Sequence, residues 1–386
     1  MPDLLQLPGS RIVEVSRLAL GRPDTDFLCF GESDQPTPPG TRDAAIAALQ
    51  AGDTRYSDVR GIHELRHALA EYLTVLHARP VTEDRIQVTA SGMTAVNVAL
   101  AAIVRPGERV VMHTPLWPNL PNAARLHRAE VDWIALEPTD TGGFQLDLNL
   151  LEAKLEGARA CVLNSPNNPT GWTASPDELR EVLALCRRSG AWLISDEVYS
   201  RLVYADAPAA PSLLDIAEPD DRVIVCNSFS KSFVMTGWRL GWMVVPAGTR
   251  DGICEIVEVT HSGVAPFVQR AGIAALGDDA AIARFRTFCA RGRDIAAAAL
   301  SGLNGIHFTP PDGAFYAFIG IEGVKDSLGL AKRLVLNHGV AVAPGVAFGE
   351  AGESHLRLCF AQSEPVLARA MQRLRAGLRA EADAVS

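Results

Sequence analysis

The sequence lacks the features that mark several broad classes of protein. It holds seven cysteines (Cys29, Cys161, Cys186, Cys226, Cys254, Cys289 and Cys359), an odd number with no Cys-x-x-Cys pair. Most sit in apolar runs, which suits reduced, buried thiols in a cytoplasmic protein better than a disulfide framework. No metal-site spacing is visible. No apolar stretch reaches the roughly 20 residues that span a bilayer. The N-terminus has no basic segment followed by an apolar run, so no secretory leader is expected. There is no long basic stripe and the formal net charge is -9, which argues against a nucleic-acid partner. No internal repeat is evident.

What is present is a large apolar fraction, 48% of 386 residues, enough for more than one ordinary core. Short apolar runs alternate with helical patterns through the first two thirds. Strands are expected at 86–89, 109–112, 131–136, 160–163, 192–195, 223–226 and 240–245. Helices are expected at 41–50, 61–77, 90–104 and 176–189, with Pro106 and Gly107 stopping the third. Continuously apolar strands separated by helices imply an α/β fold with a mostly parallel sheet covered on both faces. From about 266 the pattern changes to alanine-rich helices at 266–277 and 279–300. Strand-like segments around 306–320 and 340–360 then flank a helix at 326–338, an α+β unit. The expected division is an arm and small-domain lead-in at 1–40, a large domain at 41–265 and a small domain at 266–386.

Polar motifs follow these strands, at the edge where open parallel sheets collect ligands. Lys231 lies in Ser228-Phe229-Ser230-Lys231, with Arg239 eight residues on. A Schiff-base lysine must lose its proton in a dry site, and hydroxyls with a guanidinium suit a phosphate; a solvated lysine would need none of them. Asp196 ends an apolar strand, where a buried carboxylate needs a partner. The protonated ring nitrogen of pyridoxal phosphate is one, and capping a helix at 197–203 is the alternative. Tyr199 would share a face with Asp196 on a helical turn, as a donor to the cofactor's phenolic oxygen or as packing. Asn168 lies in the Asn/Pro/Gly-rich turn 164–171, which fixes an unusual backbone path, either to present its amide or for structure alone. Ser91, Gly92 and Met93 open a helix whose free N–H groups suit a phosphate. Trp117 could stack on the pyridine ring or belong to the core. Arg357, between apolar neighbours in a strand, suits a substrate carboxylate unless it faces solvent.

Together these residues resemble the class I/II aminotransferases of fold type I, pyridoxal-phosphate enzymes related to aspartate aminotransferase, over nearly the whole chain. The lysine motif is Ser228-Phe229-Ser230-Lys231 with Gly237-Trp238-Arg239-Leu240-Gly241. The asparagine turn is Asn167-Asn168-Pro169-Thr170-Gly171, and Arg357 is preceded by Pro344, Gly345, Phe348 and Gly349. The resemblance implies a large domain with a mostly parallel sheet between helices, and a smaller α+β domain built from the N-terminal arm and the C-terminal third. It implies a homodimer in which Tyr56 reaches the phosphate of the neighbouring subunit's cofactor, and places Gly31 near the substrate carboxylate. Gln35 stands where the family often has an aromatic residue, which bears on the shape of the entrance. The implied reaction moves an amino group from an amino acid to a 2-oxo acid, with Lys231 carrying the proton between Cα and the cofactor. Alternatives are a β-lyase or related Cα chemistry, and a pyridoxal-phosphate-binding regulator without turnover. A substrate with two carboxylates would need a further cation; Arg125 and Arg128 are candidates.

Overall fold

A computed structural model describes residues 7–139 and 142–383. An eight-stranded sheet forms its centre, in the order Ile86–Thr89, Gly241–Val244, Val223–Ser228, Trp192–Asp196, Ala160–Asn164, Arg109–Thr114, Glu130–Pro138 and Phe144–Leu146. The five strands from Val223–Ser228 to Glu130–Pro138 run parallel. Gly241–Val244 runs against both of its neighbours, and Phe144–Leu146 closes the far edge antiparallel. The inner strands are buried along their length, which is why they read as unbroken apolar runs rather than alternating ones.

Helices complete the layers. Gly92–Ile103 carries apolar residues around most of its circumference and packs on the strands at 192–196, 223–228 and 241–244. Pro176–Ser189 starts at a capping box in which the Ser175 hydroxyl accepts from Glu178 N–H and the Glu178 carboxylate accepts from Ser175 N–H. It stops at Gly190, in the left-handed region at φ 73°. Such caps contribute about 1 kcal/mol.

A second, antiparallel sheet has the order Ile306–His307, Tyr316–Ile321, His355–Cys359, Ala343–Pro344. The helix Ser327–His338 packs on it, and the long helix Glu364–Asp383 packs on that helix and on Asp279–Leu300. The N-terminal arm joins this unit. Asp26–Phe27 pairs parallel with Val340–Ala341, and Leu28 exchanges backbone bonds with Ala341 and Cys359, both 2.8 Å. The buried Asp26 carboxylate pairs with Arg369 and Arg373 at 2.5 and 3.0 Å, tying the arm to the last helix.

The expected elements are present to within one to three residues at most boundaries, but the helices Asn119–Leu126, Leu148–Leu155, Arg250–His261 and Glu364–Asp383 and the strand Phe144–Leu146 lie outside the expected set, as does one element of the arm. The arm contains a helix, Arg11–Ala19, capped by Ser10. It is nine residues long, with only Ile12, Val15 and Ala19 as its buried apolar residues, too brief for a periodic signal. The helix Pro266–Leu276 packs on Pro39–Gln50. Its Ala271 and Leu276 share a core with Leu65 and Phe229, so residue 265 falls inside the packing of the larger unit.

Candidate active site

The parallel strands all end at one rim, and the chain turns there into its polar motifs. Gly241–Val244, running the other way, begins at that rim, which brings Arg239 beside the strand ends. Between the rim and the second sheet lies a cavity of about 420 Å³. Lys231, Asp196, Tyr199, Ser91, Gly92, Met93, Trp117, Asn168, Ser228, Ser230, Arg239, Gly31 and Arg357 all line it. Tyr56 does not; it is 95% exposed on the surface of this chain.

Adjacent buried carboxylates show what the cavity leaves open. Glu197 accepts from Ser195 Oγ, Ser212 Oγ and Leu213 N–H at 2.9, 2.6 and 3.2 Å. Asp196 has one long backbone bond, from Val198 N–H at 3.4 Å, and lines the cavity. Burial raises its pKa to about 7, with Glu197 adding to the effect. Residues 198–201 form a turn rather than a helix, so Asp196 caps no helix. Its remaining acceptor capacity faces the cavity, where a cationic ring nitrogen would satisfy it.

Lys231 Nζ donates to the carbonyl of Gly31 at 2.5 Å and stands 5.8 and 5.7 Å from the ring centres of Tyr199 and Phe315. Desolvation lowers its pKa to about 8, so a useful fraction of the amine is neutral near neutral pH. Arg357 is 2% exposed, which removes the solvent-facing alternative. Its guanidinium lies over the rings of Tyr316 and Phe348 at 4.5 and 5.2 Å. It donates to the Cys29 carbonyl and, at 3.4 Å, to Asn168 Oδ1. Its Nε has no partner, and no carboxylate pairs with it among the described residues. A buried guanidinium with neutral acceptors only is a seat for an anion.

The phosphate end is equally specific. Ser91 caps Gly92–Ile103, its hydroxyl accepting from Thr94 N–H at 3.0 Å, so the positive end of that helix opens on the cavity. A Cβ at Gly241 would lie 2.6 Å from Ser91 C and 2.7 Å from Gly92 N; only glycine lets the strand pass so close to the helix start. Ser228 and Ser230 are buried beside them. This set fits pyridoxal phosphate: a lysine for its aldehyde, a carboxylate for its ring nitrogen, and hydroxyls, a helix N-terminus and Arg239 for its phosphate.

Sequence reasoning missed several members. Tyr316 bonds Tyr199 hydroxyl to hydroxyl at 2.7 Å, and a Cβ at Gly31 would lie 2.3 Å from its oxygen. Asn164 organises its turn, accepting from Asn168 N–H at 2.9 Å and donating to the Asp196 carbonyl at 3.1 Å. His113, held neutral by burial with a pKa lowered to about 4, accepts from Asn164 N–H at 3.1 Å. Ile12, Val13 and Phe30 line the wall. Only Asn164, inside the Asn/Pro turn, carried a sequence signal.

Known proteins agree with this architecture. The family described as aminotransferase class I and II matches residues 27–374. The chain is 34% identical to an aspartate aminotransferase of Thermotoga maritima, over 91% of this chain and 90% of that one. It superposes on the aromatic aminotransferase of Pyrococcus horikoshii with a TM-score of 0.87 at 30% identity, covering 95% and 99% of the two chains. An Escherichia coli protein described as having a methionine aminotransferase function gives 0.90 at 26% identity, covering 97% and 99%. With its sheet order, its lysine and its unmatched buried charges, the chain belongs to the class I and II aminotransferases, pyridoxal-phosphate enzymes of fold type I.

Proposed function

We propose that the cavity's residues divide the transamination of an amino acid and a 2-oxo acid as follows. The observation that carries the reading is that buried Asp196 and Arg357 and half-buried Lys231 line one cavity and form no salt bridge among the described residues. Pyridoxal phosphate supplies an aldehyde that condenses with amines and a ring that accepts the electron pair left when a Cα–H bond breaks. Lys231 Nζ would hold the cofactor through its aldehyde and, as a free amine beside Cα, would serve as the base that takes the Cα proton and the acid that gives it back. Asp196 keeps the ring nitrogen protonated. Tyr199 and Asn168 bond the phenolic oxygen, with Tyr316 orienting Tyr199. Ser91, Gly92, Met93, Ser228, Ser230 and Arg239 hold the phosphate, and Trp117 covers a ring face. Arg357, with the backbone at Gly31, grips the α-carboxylate and so points Cα at Lys231.

Two copies complete the site in this reading, with Tyr56 reaching across to the partner's phosphate; its near-total exposure supports that. The small unit comprises the arm and the residues after about 277. Seven free cysteines, six of them buried, support a reducing, cytoplasmic setting. The test is the absorption spectrum of the holoenzyme before and after adding amino acids without any oxo acid. Conversion to the amine form of the cofactor, with release of a stoichiometric oxo acid, is expected. An unchanged spectrum across the panel would refute transamination.

A further inference from the structure

Lys231 and Arg239 share one loop, residues 229–240, and part of that loop stands in a conformation its sequence does not favour. Val234, three residues after the lysine, has φ 55°. It is the only β-branched residue in the left-handed region among the described residues, and there its two Cβ substituents crowd the backbone. Such an outlier persists only when its surroundings fix it. Its neighbours Phe233 and Met235 are buried in the core of the larger unit, with Met235 N–H donating to the Phe229 carbonyl at 3.3 Å. Val234 itself is bonded on both sides. Its N–H donates to the Lys231 carbonyl at 3.2 Å, and its carbonyl accepts from the Thr37 hydroxyl at 2.6 Å. The same hydroxyl accepts from Trp238 Nε1 at 2.9 Å, so its own hydrogen is directed at Val234.

Thr37 ends a segment that begins at the lysine's tip, where Lys231 Nζ donates to the Gly31 carbonyl. Between the two, the Glu32 carbonyl accepts from Gln362 Nε2 at 3.0 Å and the Asp34 carboxylate from Ser363 N–H at 2.8 Å. Residues 31–37 therefore bond the lysine at its amine and, through Val234, at its backbone, and bond the smaller unit in between. All of these contacts lie within one chain and do not depend on what a second copy adds to the cavity.

We propose that Thr37 is a positioning residue for Lys231: its hydroxyl holds Val234 in the left-handed region and so sets where the lysine's backbone, and with it the amine, stands against Cα. The inference rests on the reading above, in which that amine moves the Cα proton. Without the hydroxyl, Val234 gains by leaving the left-handed region, and its N–H or its carbonyl turns from its partner. Proton transfer is sensitive to displacements of about an ångström, whereas Arg357 holds the substrate carboxylate from another strand.

The experiment uses the holoenzyme at saturating cofactor, with whichever of aspartate, glutamate, leucine, methionine and phenylalanine converts the wild-type cofactor fastest. Thr37→Val keeps the shape and removes the hydroxyl; kcat should fall about tenfold while KM for the donor stays within about twofold. Thr37→Ser restores the hydroxyl and should recover kcat to within about twofold of wild type. In Thr37→Val/Val234→Gly, glycine adopts the positive φ at no steric cost, so kcat should rise at least about threefold over Thr37→Val. An undiminished kcat in Thr37→Val, a loss confined to KM, or an equal loss in Thr37→Ser overturns the proposal. No recovery in the double variant overturns the role given to the left-handed valine. Should Thr37→Val fail to fold, Trp238→Phe removes the N–H that orients the hydroxyl: a kcat about threefold lower is expected, and an unchanged one is contrary to the proposal. A wild type that converts none of the five donors overturns the transamination reading instead, which separates the two failures.

Discussion

At the end of the cavity nearest the larger sheet, Ser91, Asp196, Ser228 and Lys231 stand on strands or in the turns that follow them, so the sheet's own hydrogen bonds fix their spacing. At the other end, Gly31, Tyr316 and Arg357 come from the arm, the second sheet's strand Tyr316–Ile321 and its neighbour His355–Cys359. They meet through contacts between side chains and across the gap between sheets: Tyr199 with Tyr316, Lys231 with the Gly31 carbonyl, Arg357 with Cys29 and Asn168. The cofactor end is therefore set within one sheet, whereas the substrate end depends on how two units and an arm are held together. Substitutions at the first should act on chemistry and cofactor retention, those at the second on substrate binding and orientation.

The largest expected effect belongs to the cofactor end. Lys231→Ala removes the bonding amine and the proton carrier together, and turnover should fall by about 10^4-fold or more, with residual single-turnover rates measured by rapid mixing. Asp196→Asn keeps the shape but not the charge; kcat should drop by about 10^2- to 10^3-fold and the cofactor should dialyse away more readily. Retention of more than a tenth of wild-type kcat would show that the ring nitrogen is not its partner.

At the substrate end, Arg357→Lys loses the planar two-point grip on a carboxylate. It should lower kcat/KM by about 100-fold, mainly through KM, with cofactor affinity unchanged. A large loss of cofactor would erase the distinction between the two ends. Gly31→Ala sharpens it: the added methyl would lie 2.3 Å from the Tyr316 hydroxyl. Either the arm or Tyr316 must shift, and a roughly tenfold loss in kcat/KM is expected, checked beside Tyr316→Phe, which removes the hydroxyl and should relieve part of the loss.

The smallest effect is on stability without cofactor. Asp196 has a folded pKa of about 7 against an ordinary 3.8. Its contribution to stability is present below the lower value and lost as pH rises through the upper one. The melting temperature of wild type minus that of Asp196→Asn, both free of cofactor, should therefore fall by about 3 °C between pH 5 and 7. Lys231, depressed from 10.5 to about 8, contributes in the opposite sense: its share is present above 10.5 and lost as pH falls through 8. Neither group helps the empty fold between pH 7 and 8, where both await a partner.

The same contrast governs what the sequence reveals. Unbroken apolar runs such as Val223 to Cys226 announce buried parallel strands, and the first polar residues after them announce a site, so Asp196, Asn168 and Lys231 could be named before any coordinates. Arg357 could be named because an arginine amid Leu356 and Leu358 is anomalous. Tyr316 could not: beside Phe315 and Phe318 it looks like ordinary packing, and its role exists only because the second sheet carries it to Tyr199, 117 residues away in the chain. Ile12 and Val13 were hidden for a related reason, since their nine-residue helix is stabilised by docking on Ser327–His338 rather than by its own periodicity.

The pairing of Asp26–Phe27 with Val340–Ala341 also bears on the order in which the molecule is made. Every strand of the larger sheet lies between residues 86 and 244, so its hydrogen bonds can form while the C-terminal third is still being synthesised. The smaller unit has its first strand near the beginning of the chain and its last helix at 364–383. The arm must wait, unpaired, until nearly the whole polypeptide has emerged. On the ribosome the cofactor end of the cavity can thus exist before the substrate end does, and a nascent chain could capture its cofactor before it could recognise an amino acid.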